Sequence, residues 1–165
     1  MDRRLVLLAE MTPAIWVHLV AATLALVLGA LVLWRKKGDA THRFWGRIWV
    51  ALMFIVAVSS FFITTIRDDG FSPIHALSVY TLFSLVVGLR AIRGRPANIK
   101  AHRLTMQTLY ASALLIAGGF TFLPFRMLGR LTFGEVMPLV NYGIVAVMVS
   151  LGVWLIWYSY RVARP

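Results

Sequence analysis

Apolar runs of roughly 20 residues recur along this chain, and that is the length an α-helix needs to cross the hydrocarbon core of a bilayer. Inside lipid the backbone must satisfy its own hydrogen bonds, so each run is expected to be a helix. Five are marked, at about residues 13–34, 44–66, 73–89, 102–123 and 138–160. The connections between them are too short to hold a soluble domain. Residues 1–165 are therefore expected to form one membrane-embedded, all-α domain of five transmembrane helices, the first four as a bundle.

Local signals punctuate these spans. Thr12-Pro13 and Ser72-Pro73 each offer a capping hydroxyl followed by proline at the first helical position, and Pro138 opens the last span. Arg35-Lys36-Lys37-Gly38 closes the first, and Arg67-Asp68-Asp69-Gly70 makes a polar turn after the second. The run from Ala14 to Trp34 is too long for the core of a signal peptide, so the first span is expected to be retained. Phe125 to Glu135 reads as a connector along the interface.

Composition narrows the chemistry. Hydrophobic residues make up 60% of the chain, and its net charge is +11. The basic residues fall mainly between apolar runs, which points to membrane topology and anionic headgroups and away from nucleic acid. Apart from Arg3, Arg4, Arg67, Arg126 and Arg130, every Lys and Arg falls on one side. That side is cytoplasmic by the positive-inside rule. The expected location is a bacterial inner (plasma) membrane, with the N-terminus outside and the C-terminus in the cytoplasm. Trp16, Trp34, Trp45 and Trp49 are expected in interfacial belts, and Trp154, Trp157 and Tyr158 at the inner end of the last span. Cysteine is absent, which excludes disulfides, cysteine-ligated iron–sulfur clusters and thiolate or covalently attached haem. No span contains Asp or Glu, so a carboxylate relay is not expected. There is no nucleophile–base constellation, phosphate loop or metallohydrolase motif. At most, then, the enzyme class is an electron-transfer oxidoreductase subunit.

The four histidines are the candidate site residues. His42 and His102 open the second and fourth spans, each followed by arginine, and His18 and His75 lie towards the opposite face. At about 1.5 Å of rise per residue, His18 and His75 are roughly 22–26 Å from the inner boundary. Without gaps, the segments starting at His42 and His102 share Arg43 with Arg103, Ala51 with Ala111, Ala57 with Ala117 and Phe62 with Phe122. Spans one–two and three–four are thus candidate copies of one hairpin, related by a two-fold axis along the membrane normal. Diagonal helices would then face His18 to His75 and His42 to His102, an arrangement suited to one or two b-type haems with imidazole axial ligands. Arg43, Arg47 and Arg103 are positioned to pair the inner propionates, and Met106 is a further potential axial ligand. Gly29, Gly88, Gly118 and Gly119 permit close approach, of a helix or of a flat macrocycle. The competing account is that these histidines are interfacial helix-end residues binding no metal. All four meeting one ion is not expected, since the two levels are too far apart.

These residues also carry a resemblance. His18 in an apolar first span, His42-Arg43-x-x-Gly46-Arg47 before the second and His102-Arg103-x-x-Met106 before the fourth resemble a bacterial family of predicted membrane proteins, domain of unknown function 2306. That implies a multi-span membrane protein but no reaction. The histidine arrangement is similar, as architecture only, to ascorbate-reducible dihaem b cytochromes. Two functional expectations follow. One is a b-type cytochrome moving electrons across the membrane, exchanging with quinone or quinol. The other is a cofactor-free structural or accessory subunit of a larger respiratory or photosynthetic complex. A small transporter or channel is disfavoured by the lack of charge within the spans.

Overall fold

The structure is a computed structural model that describes residues 7–9, 11–63, 73–132 and 137–163. Its helices are α1 (Pro13–Trp34), α2 (Ala40–Ser60), α3 (Pro73–Arg93), α4 (Ile99–Leu109), α5 (Ala117–Phe120), α6 (Met127–Thr132) and α7 (Pro138–Ala163). A π-helical stretch, Tyr110–Ile116, joins α4 to α5. No strand occurs among the described residues. Among the described residues four helices are long and apolar enough to cross a membrane: Pro13–Leu33 in α1, Ala40–Ser60, His75–Arg93 in α3, and Pro138–Ala163. The fourth expected span, about 102–123, is instead built from α4, the π-helical stretch and α5.

The helix ends follow from their residues. The Thr12 hydroxyl accepts from the Ile15 amide, and Pro13 takes the first helical position, where a missing N–H costs nothing. Gly38 turns the chain with φ +91°, a backbone region that glycine enters freely. Asp39 then caps α2, its carboxylate accepting from the His42 amide at 2.6 Å. This cap starts α2 four residues earlier than the apolar run suggested. The helix also ends earlier, at Ser60 and not near Ile66. There Ser59 and Ser60 turn their hydroxyls back onto the carbonyls of Val56 and Ala57. Such bonds compete with continuing the ladder. The turn at Arg67–Gly70 and the cap at Ser72 lie outside the described residues, as does the end of the connector at Glu135.

The chain divides into two compact units. Residues 12–107 form one, and 108–165 with 1–11 form the other. In the first, α1 packs along α2, and α2 packs on α3. Its apolar core is Ala21, Ala25, Trp49, Met53, Ala57, Leu85 and Met106. Beside these, Ser59, Ser60, His75, Ser78, Thr81, Ser84 and Gln107 are also buried, so among the described residues the interior carries many polar side chains. Trp49 departs from the expected belt. It is 5% exposed, and its indole N–H donates to the Ala25 carbonyl on α1 at 3.0 Å. A buried indole finds a partner this way. Trp16 and Trp45 do face outward.

In the second unit α7 packs against the π-helical stretch. The Ser112 hydroxyl bonds back to the Thr108 carbonyl, and the Ala117 amide reaches the Ser112 carbonyl five residues earlier. This widened turn meets α7 at Gly152, where a Cβ would lie 2.6 Å from Ile116 and 3.1 Å from the Ala111 carbonyl. Gly119 likewise packs on Met148 of α7. Gly118 and Gly119 are therefore a packing notch for a helix, not a slot for a cofactor. Asn141, fully buried, donates to the Gly129 carbonyl at 3.0 Å and ties α6 to α7. A Cβ at Gly129 would lie 2.1 Å from the Leu123 carbonyl oxygen, a backbone atom that cannot swing aside.

Gly129→Ala is accordingly expected to lower stability by ~1–3 kcal/mol, the range for forced overpacking. Gly143→Ala, which meets nothing within 4 Å, should be neutral or better. Thermal midpoints of the two variants in one detergent would show the contrast.

Candidate functional site

All four histidines belong to the unit of residues 12–107. His18 projects from α1 onto the end of α2. Its Nδ1 lies 3.0 Å from the Val56 carbonyl and 3.1 Å from the Ser59 hydroxyl. A carbonyl only accepts, so Nδ1 carries the hydrogen, and in the neutral ring Nε2 is left with its lone pair. His75, in the first turn of α3, is 4% exposed, and its ring is 5.7 Å from that of Phe61. His18 and His75 thus both lie against the C-terminal end of α2, one at Val56 and Ser59, the other at Phe61, the residue that follows it.

At the opposite end His102 occupies the first turn of α4. That turn is started by Asn98, whose side chain accepts from the Ala101 amide at 2.9 Å. His102 Nδ1 donates to the Gly88 carbonyl on α3 at 2.8 Å, again leaving Nε2 free in the neutral ring. His42 lies in the first turn of α2, near His102, Asp39 and Lys37. Its Nδ1 is buried and has no hydrogen-bond partner. The structure therefore brings His42 and His102 into one neighbourhood, but their bonding differs: His102 is anchored to a carbonyl and His42 is not.

The other expected site residues separate into two groups. Arg43 is exposed and donates to the Gly38 carbonyl at 2.9 Å, closing the turn before α2. Arg47 is exposed and Arg103 half-buried. Met106 is largely withdrawn from ligand duty. Its terminal methyl fills the space beside Gly88, where a Cβ would lie 1.9 Å from it. Gly88 is therefore a contact between helices. Gly46, within the His-Arg motif, meets nothing within 4 Å and makes no close contact. Among the described residues no three His, Asp or Glu side chains gather to hold a bare metal ion.

The carbonyl partners Val56 and Gly88 were not readable as site residues, since any residue type supplies a carbonyl. Nor does a serine at position 59 mark a site by its type. Its position on the turn facing His18 gives it a second role, as a polar neighbour of the imidazole.

The family model for DUF2306, predicted membrane protein, matches residues 15–158. The chain belongs to that family. No curated protein and no solved structure matches it. The imidazole bonding itself is open to measurement. In the metal-free protein, ¹⁵N spectra should find neutral His18 and His102 as the Nδ1–H tautomer. A dominant Nε2–H form at either residue would contradict the two carbonyl bonds.

Proposed function

We propose that this member of the DUF2306 membrane-protein family is a b-type cytochrome. It would hold one haem between His18 and His75 and a second between His42 and His102. One observation carries the proposal. In each pair, one imidazole donates its Nδ1 hydrogen to a backbone carbonyl, His18 to Val56 and His102 to Gly88. This second-shell bond fixes the ring and the tautomer of an iron-ligating histidine, and it presents Nε2 as the donor. The donor set fits the group in two further ways. Two imidazoles per site suffice for haem, where a bare ion wants three or more ligands. The buried, unpartnered Nδ1 of His42 is an atom that still wants a partner.

Bound haem would supply a one-electron couple at each end of the unit. The chain's own residues do the rest. Val56 and Gly88 orient two of the rings. Arg47 and Arg103 offer positive charge at the basic end, where propionates would need it, while Arg43 is partly engaged with Gly38. The apolar faces of α1 and α3 keep that level of the unit in hydrocarbon. Quinol or quinone is the electron partner that a membrane-embedded site of this kind would meet.

The same proposal includes the topology. Ile99–Phe120 is read as a fifth crossing, since α4, the π-helical stretch and α5 run on without a gap. At about 1.5 Å per residue a helix of that many residues spans roughly 30 Å, enough for the hydrocarbon core. With the basic end in the cytoplasm of a bacterial inner membrane, the N-terminus is outside and the C-terminus inside. The hairpin repeat is retained in this scheme as an ancestry of spans, since His42 and His102 no longer share the same bonds.

A second account rests on α7. Only Asn141, Val145, Gly152 and Ser159 are buried there, and Trp154, Trp157 and Tyr160 face outward. Such a helix suits an accessory subunit that presents its aromatic side to lipid or to a partner. The discriminating experiment is a dithionite-reduced minus oxidised spectrum of the purified protein. Wild type should show a sharp α-band with about two haems per chain, and His18→Ala and His102→Ala should each lose about one. A colourless preparation from haem-replete cells would overturn the cytochrome reading and favour the accessory one.

A further inference from the structure

In the unit of residues 108–165 with 1–11, α7 carries an exposed face over its second half. Val149, Ser150, Val153, Trp154 and Trp157 line a shallow groove along it. Val153, Trp154 and Trp157 are each more than half exposed. The two ends of this groove differ. Val149 and Ser150 stand at the middle of α7, where the helix is apolar on every side. At the other end Arg161 lays its guanidinium over the Trp157 ring, 4.9 Å from the centroid. Trp154 is braced in turn by Tyr158, the two rings stacked 5.5 Å apart.

Length and charge together say what fits. At about 1.5 Å per residue the groove from Val149 to Arg161 is roughly 18 Å long, close to one leaflet of a hydrocarbon core of about 30 Å. A guanidinium seated on an indole face is a cation held in place, and its N–H edges stay open to a bidentate oxyanion. No such oxyanion comes from α7, which contains no Asp or Glu. An acidic segment of a soluble protein would match the cation but not the apolar groove behind it. A second copy inserted in the same orientation would match the groove but bring another Arg161 to the same level. A phospholipid with a net negative headgroup matches both.

We propose that this face of α7 is a binding site for one anionic phospholipid. An acyl chain lies in the groove against Val153 and the edges of Trp154 and Trp157. The headgroup phosphate sits on Arg161, where the cationic edge and the end of the apolar groove meet. Trp157 serves both parts, as a wall for the chain and as the seat of the cation. Every residue of the site is on α7 and none is a candidate haem ligand, so the proposal does not rest on the cytochrome reading.

The test titrates the delipidated full chain, in a neutral detergent, with phosphatidylglycerol and separately with phosphatidylcholine. Lipid adducts are counted by native mass spectrometry. The first phosphatidylglycerol should bind about tenfold tighter than the first phosphatidylcholine, as expected for one charge-assisted contact. Arg161→Gln should remove that preference, and Trp157→Ala should reduce it. Arg95→Gln, which loses an exposed arginine outside α7, should keep it. Glycerol 1-phosphate, a headgroup without chains, should not displace the lipid. Equal affinity for the two lipids overturns the proposal, as does an Arg161→Gln variant that keeps the preference. So does an Arg95→Gln variant that loses it as fully, since the net charge of +11 would then be acting as a whole. Displacement by glycerol 1-phosphate removes the acyl groove from the account. A dimer that excludes the lipid assigns the face to a second copy, and either result overturns the proposal.

Discussion

Hydrocarbon offers no hydrogen-bond partner, so every polar group carried into a membrane must find one inside the chain or bring water with it. The backbone does this by coiling. The side chains do it by returning to the backbone: Ser59 and Ser60 to the turn before them, Trp49 across to Ala25, and His18 and His102 to carbonyls on neighbouring helices. These bonds set where α2 stops, how α1 seats on it, and which nitrogen each imidazole leaves free. The histidines are therefore part of the same accounting that shapes the fold.

That accounting is not closed everywhere. His42 Nδ1 and Asn141 Oδ1 are buried without partners. Asn141 is otherwise explained, since its amide holds α6 through Gly129. His42 has no such structural task. It lies beside a second histidine, at the end of the unit where basic residues collect. A polar atom kept unsatisfied in an apolar setting is usually retained for what it binds, which is why His42 belongs in the proposed inner site.

Much of the architecture was legible in the sequence because membrane thickness fixes helix length. Span one and the starts of spans three and five match the structure at Pro13, Pro73 and Pro138. Two of the misses share one cause. Ser59, Ser60 and Ser112 bend or end helices through their own hydroxyls, an effect that an apolar average does not register. So the helix from Ala40 ends early, and the segment expected at 102–123 contains a π-helical stretch. Trp49 was read as a belt residue from its place near a basic loop, but which face of α2 it occupies decides its burial. The candidate histidines were visible by type and depth. Their anchors were not, because Val56 and Gly88 act through carbonyls.

The central claim is that paired imidazoles at two depths hold two haems. Native mass spectrometry of the intact protein, released gently from detergent, tests it most directly. The account predicts a dominant species carrying two haem-sized mass increments. A bare polypeptide as the sole species, from cells replete in haem, would contradict it.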